Sequence, residues 1–173
     1  MSIRTKYEHE LAEVFNKLIA MCHMTENAIE KSVRALKTRD DDLAREVMAG
    51  DKNVDHAERE IEQDCLKILL MEHPVAGDFR DVSAALKMIT DLERIGDQAS
   101  DISEISLQFK GEEFIKEPEH IEMMAKIVSA MVKDGVTSYI NRDLELAKGL
   151  DKRDDRVDEL FETVKSDLVE LIK

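Results

Sequence analysis

The sequence predicts an all-α protein made of two tandem three-helix-bundle repeats, the second lacking its last helix in this chain. Three observations lead there: a shortage of helix breakers, apolar residues at helical spacing along most of the length, and an ungapped match between the two halves. Only 6 Gly and 2 Pro occur in 173 residues, against 37% charged residues, a composition suited to long helices. Apolar residues make up 43% but aromatics only 4%, so the core must come from Leu, Ile, Val, Met and Ala. A chain of this size can bury roughly 70% of its unfolded surface, enough for a real core.

The first helix is expected over 5–37, where Leu11, Val14, Leu18, Met21, Thr25, Ala28, Val33 and Leu36 recur at helical spacing. Thr38-Arg39-Asp40-Asp41-Asp42 then supplies candidate N-caps for a second helix over 40–72, with Val47, Val54, Ile61 and Ile68 repeating every seven residues. His73-Pro74 should end it, because proline disfavours a helical residue before it. Asp78-Phe79-Arg80-Asp81 offers a new cap, and the third helix follows with an expected a/d seam of Ala85, Met88, Leu92, Ile95, Ala99 and Ile102. Helical pattern lapses from Lys110 to Pro118, and Pro118 suits a helix start. A fourth helix carries Ile121, Met124, Val128, Met131, Val132, Val136 and Tyr139. A turn at Asn141-Arg142-Asp143 introduces the fifth, with Leu146, Leu150, Val157, Leu160, Val164, Leu168 and Leu171.

Laying residues 38–70 over 141–173 aligns Arg39 with Arg142, Asp40 with Asp143, Leu43 with Leu146, Ala44 with Ala147, Asp51 with Asp154, Val54 with Val157, Asp55 with Asp158 and Asp64 with Asp167. The same offset pairs Leu18 with Ile121, Met21 with Met124 and Val33 with Val136. Helices four and five therefore repeat helices one and two. The expected organisation is a first repeat at 1–109, a linker at 110–118, and helices four and five of a second repeat at 119–173. Without a third partner, the apolar stripes of helices four and five should stay partly open to water. The end at Val169-Glu170-Leu171-Ile172-Lys173, in mid-stripe and uncapped, leads us to expect that these residues belong to a longer native chain.

Charge narrows the partners. With Asp+Glu 39 against Lys+Arg 25 the net charge is −14, which opposes nucleic acid and anionic membrane surfaces, both of which are bound through clustered Lys and Arg. The charged N-terminus is unlike a signal peptide, and no run approaches the ~20 apolar residues of a membrane helix, so a cytoplasmic protein without direct membrane insertion is expected. Cys22 and Cys65 are far apart and lie in helical pattern; both are expected as reduced core residues.

Chemistry-bearing residues gather on helices two and three. Glu93, Asp97 and Asp101 stand at i, i+4 and i+8, and each four-residue step climbs about 6 Å while turning only about 40°, so the three carboxylates line one side of the helix. Glu93 also continues the row Val82, Leu86 and Ile89, where the spacing asks for an apolar residue. Gly96 costs about 1 kcal/mol relative to Ala in a helix interior, which suggests that something approaches the backbone closely there. Helix two carries Asp51, Asp55, Glu58 and Glu62 on one side of its apolar seam. If the two helices pack antiparallel, these acids face each other and need compensation from cations, protons or basic side chains. Such oxygen-rich clusters suit Mg²⁺, Mn²⁺, Ca²⁺ or iron, and the competing reading is a solvated acidic face. In the second half Asp154 and Asp158 keep the first two positions, while Phe161 and Lys165 replace the acids that follow.

Enzyme templates fit poorly. A ferritin-like di-metal oxidase needs Glu-x-x-His pairs on two helices, and only Glu117-x-x-His120 matches, with Pro118 inside it. The chain holds no Gly-rich phosphate loop, nucleophile elbow or HExxH motif.

Around Asp91-Leu92-Glu93-Arg94-Ile95-Gly96-Asp97-Gln98-Ala99 the chain resembles the PhoU family of bacterial and archaeal phosphate-uptake regulators, whose third helix carries such a Glu-Arg-Ile-Gly-Asp signature. Gly50-Asp51-Lys52-Asn53-Val54-Asp55 with Glu58, and Pro74 to Arg80, support it, and the resemblance runs along the whole chain. It implies an all-α, non-enzymatic negative regulator of phosphate uptake and phosphate-starvation signalling. Such a regulator acts on a phosphate-specific ABC transporter and its phosphate-sensing histidine kinase, in the cytoplasm and often as a homodimer. It also implies metal binding, divalent or iron-type, through Glu93, Asp97 and Asp101 with Asp55 and Glu58 on helix two. The alternative from the residues is a metal-independent acidic helical adaptor that docks a basic partner.

Overall fold

The computed structural model describes residues 3–71, 76–109 and 114–173. These residues form five α-helices and one short 3-10 turn, and no strand occurs among them: α1 Ile3–Thr38, α2 Asp41–Met71, α3 Ala76–Ser106, the turn Leu107–Phe109, α4 Glu119–Asn141 and α5 Leu144–Ile172. The expected break at His73-Pro74 and linker residues 110–113 lie outside the described residues. No helix among the described residues is long and apolar enough to cross a membrane.

The two short turns repeat each other at the offset seen in the sequence. Arg39 and Arg142 both take left-handed backbone, with φ of 55° and 54°. Each is followed by an aspartate cap: Leu43 N–H donates to Asp40 Oδ1 at 3.0 Å, and Leu146 N–H to Asp143 Oδ1 at 2.9 Å. The backbone amides match as well, Asp40 N–H to the Ala35 carbonyl and Asp143 N–H to the Ser138 carbonyl. A cap of this kind satisfies helix-start amides that have no partner within the helix.

α1 is the central helix, packed on α2, α3 and α4. It runs antiparallel to α2, as the ion pairs Lys17–Asp64 at 2.7 Å, Lys31–Glu46 at 2.6 Å and Lys67–Glu10 at 3.2 Å require. α3 returns alongside α2 and parallel to α1, with Arg4 on Asp78 near one end and the Thr25 hydroxyl on the Leu92 carbonyl further along. The core between them holds Val14, Leu18, Met21, Ile61, Cys65, Ile68, Val82, Ala85, Ile89 and Leu92. Cys22 and Cys65 are free and buried, and burial pushes both thiols up to about 11.

Two expectations for α3 change. The helix begins at Ala76, ahead of the expected cap at Asp78–Asp81, and Asp78 in its first turn accepts two bonds from Arg4. Its buried stripe is Val82, Ala85, Ile89, Leu92, Gly96, Ala99 and Ser103, so Met88, Ile95 and Ile102 of the expected seam are only half-buried. The helix is wedged between α1 and α2, and this second neighbour rotates the buried face toward Val82, Ile89 and Gly96.

α4 lies antiparallel to α1. Lys37 pairs with Glu122, the Ser129 hydroxyl donates to Glu30, Cys22 meets the Val132 carbonyl, and the Phe15 and Tyr139 rings meet edge to face at 5.5 Å. α5 turns back along α4, tied by Arg153 to Asp134 at 2.5 Å. The expected opening of the second half is present. Ile61, Cys65 and Ile68 are buried beneath α3, whereas at the equivalent positions Val164 is half-buried, Leu168 is 53% exposed and Leu171 is 45% exposed.

Candidate metal site on helices two and three

The antiparallel course of α2 and α3 brings their acids together. Asp51 and Asp55, one turn apart on α2, meet Asp97 of α3 so that one carboxylate oxygen from each lies within 4.8 Å of the others. What allows the approach is Gly96. A Cβ at this position would stand 3.2 Å from Cγ1 of Val54 and 3.7 Å from an oxygen of Asp51. The close approach expected at Gly96 is therefore the wall of α2 itself.

Of the five expected ligands, Asp55 and Asp97 are in this group, whereas Glu93, Glu58 and Asp101 lie outside it on neighbouring turns. Glu93, half-buried, sits one turn before Asp97; burial raises its carboxyl above the usual range, and the charges of Asp97, Glu58, Asp55 and Asp51 raise it further. Glu58 accepts the Thr90 hydroxyl of α3 at 3.3 Å. Asp101, exposed one turn beyond Asp97, receives the Gln98 amide at 3.5 Å. Asp51 is also raised, first by burial and then by Asp97, Asp55 and Asp101. Both shifts have the direction that desolvation and like charge impose on a carboxylate.

Among the described residues, positive charge near the cluster is sparse. Arg59 stands 3.8 Å from Asp55, on the next turn of α2. Arg94, although it lies between Glu93 and Asp97 in sequence, pairs with Asp91 at 3.6 Å. Three carboxylates that share so little basic compensation form an oxygen-only donor set, and such a set fits a hard cation. The residues present thus suit a divalent or iron-type ion, with Asp51, Asp55 and Asp97 as the tightest group and Glu93 within their field.

Asp51 lies in the acidic stripe expected on helix two but outside the expected metal-binding set of Glu93, Asp97, Asp101, Asp55 and Glu58. The signal was available as the Asp51-x-x-x-Asp55 spacing, which puts both side chains on one face. Thr90 gave no comparable signal. In the second half Asp154 and Asp158 are both exposed, and Lys165 pairs with Glu162 on its own helix.

The family model described as the PhoU domain matches residues 18–106 and 121–173, taking in every one of these acids. The chain belongs to the PhoU family. It is 37% identical to the phosphate-specific transport system accessory protein PhoU homolog of Aquifex aeolicus, over 92% of this chain and 72% of that protein. It is 32% identical to the homolog of Clostridium acetobutylicum, over 98% of this chain and 78% of that one. Among solved structures it is similar to PhoU from Pseudomonas aeruginosa, with a TM-score of 0.91 and 29% identity over 96% of this chain and 80% of that one. The PhoU-like helical fold expected from the sequence is thereby shown, and the Glu93 to Asp97 signature of this PhoU-family chain lies on the helix that faces Asp51 and Asp55.

Proposed function

We propose that this chain is a non-enzymatic negative regulator of phosphate uptake and phosphate-starvation signalling, acting in the cytoplasm on a phosphate ABC transporter and its sensor histidine kinase. Its similarity to proteins named phosphate-specific transport system accessory proteins supports the setting. A single geometric observation supports the manner of action: Asp51, Asp55 and Asp97, from two helices, converge within 4.8 Å. A cation held by this group, with Glu93, Glu58 and Asp101 around it, would fix α3 against α2 and so fix the surface that the bundle offers to a partner. A homodimer is the assembly we propose for it.

The regulatory reading is tested in a bacterium whose own PhoU-type protein has been deleted. Expression of this chain should lower a phosphate-starvation reporter several-fold in phosphate-rich medium and reduce phosphate uptake. A reporter that stays high while the protein accumulates in folded form would refute it.

Two observations favour a second reading, in which the acidic face is a metal-independent adaptor. Thr90 already bonds Glu58 and Arg59 already stands beside Asp55, so part of the repulsion is relieved without any ion. In that case the carboxylates dock a basic partner directly, and Asp51→Asn/Asp97→Asn would weaken partner binding equally with and without a chelator.

A further inference from the structure

We draw no further inference here: the strongest candidate, the apolar face that α4 and α5 leave open at Val164, Leu168 and Leu171 beside Phe114 and Ile121, carries nothing because nothing in the structure shows what covers it.

Discussion

Gly96 of α3 lies against Val54 of α2 so closely that a methyl group added to the glycine would come within 3.2 Å of the valine Cγ1. That contact sets the spacing between the two acid-bearing helices. Val54 is buried and β-branched, with little freedom to turn aside. Gly96→Ala should therefore lower cation affinity at least several-fold, even though alanine gains about 1 kcal/mol in helix propensity. Adding Val54→Ala should return much of the lost affinity by making room. Titration of Mn²⁺ into the single and double variants checks both outcomes, and equal affinity in Gly96→Ala and the parent would refute the spacing role.

The raised carboxyls of Asp51 and Glu93 give a pH dependence with a definite sign. Each holds its proton to higher pH in the folded chain than in the unfolded one, so the folded state binds more protons between the ordinary carboxylate range and the raised value. Metal-free stability should fall as pH rises through that window. Asp51→Asn should flatten the fall. Cation affinity should move the other way and strengthen as pH rises, because the ion needs the ionised groups. Denaturant melts of parent and Asp51→Asn across the acid range, with and without Mn²⁺, separate the two slopes.

Asp40 and Asp143 cap α2 and α5 in the same way. Each should be worth about 1 kcal/mol, the usual cost of replacing such a cap by alanine. The consequences should differ in place. Asp143→Ala should speed amide exchange in the first turns of α5, whereas Asp40→Ala should loosen α2 toward Asp51. Exchange mass spectrometry on the two variants locates each effect, and an unchanged exchange pattern would count against the caps.

The Tyr139 hydroxyl donates to the Asp81 carbonyl at 2.5 Å, and Arg142 reaches the Asp81 carboxylate at 2.7 Å, so the end of α4 is fastened to the first turns of α3. Burial, aided by the Asp81 charge, raises the Tyr139 hydroxyl far above its ordinary value, so it remains a donor at neutral pH. Tyr139→Phe keeps the ring on Phe15 and removes the bond. It should cost about 1 kcal/mol, the net worth of a typical internal hydrogen bond. A urea midpoint equal to the parent's would show that the bond contributes nothing.

Much of this was legible in the sequence because the features are local. The caps at Asp40 and Asp143 follow from residue type beside a helical run, and the opening at Gly96 follows from a poor helix former within a strong one. The azimuth of α3 was not legible. Spacing shows that Ala85, Leu92 and Ala99 share a face and that Val82 and Ile89 continue a row beside it, but the full burial of Ile89 and Gly96 and the half-burial of Met88 and Ile95 depend on where α1 and α2 both sit. For the same reason the acid stripe of α2 was visible as a stripe, while the choice of Asp51 over Glu62 as a close partner of Asp97 depends on the crossing point at Val54. Thr90 bonding Glu58 is a long-range pairing of two ordinary residues, with no pattern to announce it.

We propose that Asp51, Asp55 and Asp97, with Glu93 beside them, hold a cation between α2 and α3. Elemental analysis of the purified parent chain, loaded with Mn²⁺ or iron and then dialysed, alongside Asp51→Asn/Asp97→Asn and Glu93→Ala/Asp97→Ala tests it most directly. Circular dichroism on each sample verifies that the helices remain. The expected result is bound metal in the parent and its loss from both variants. Equal metal content in all three would contradict it.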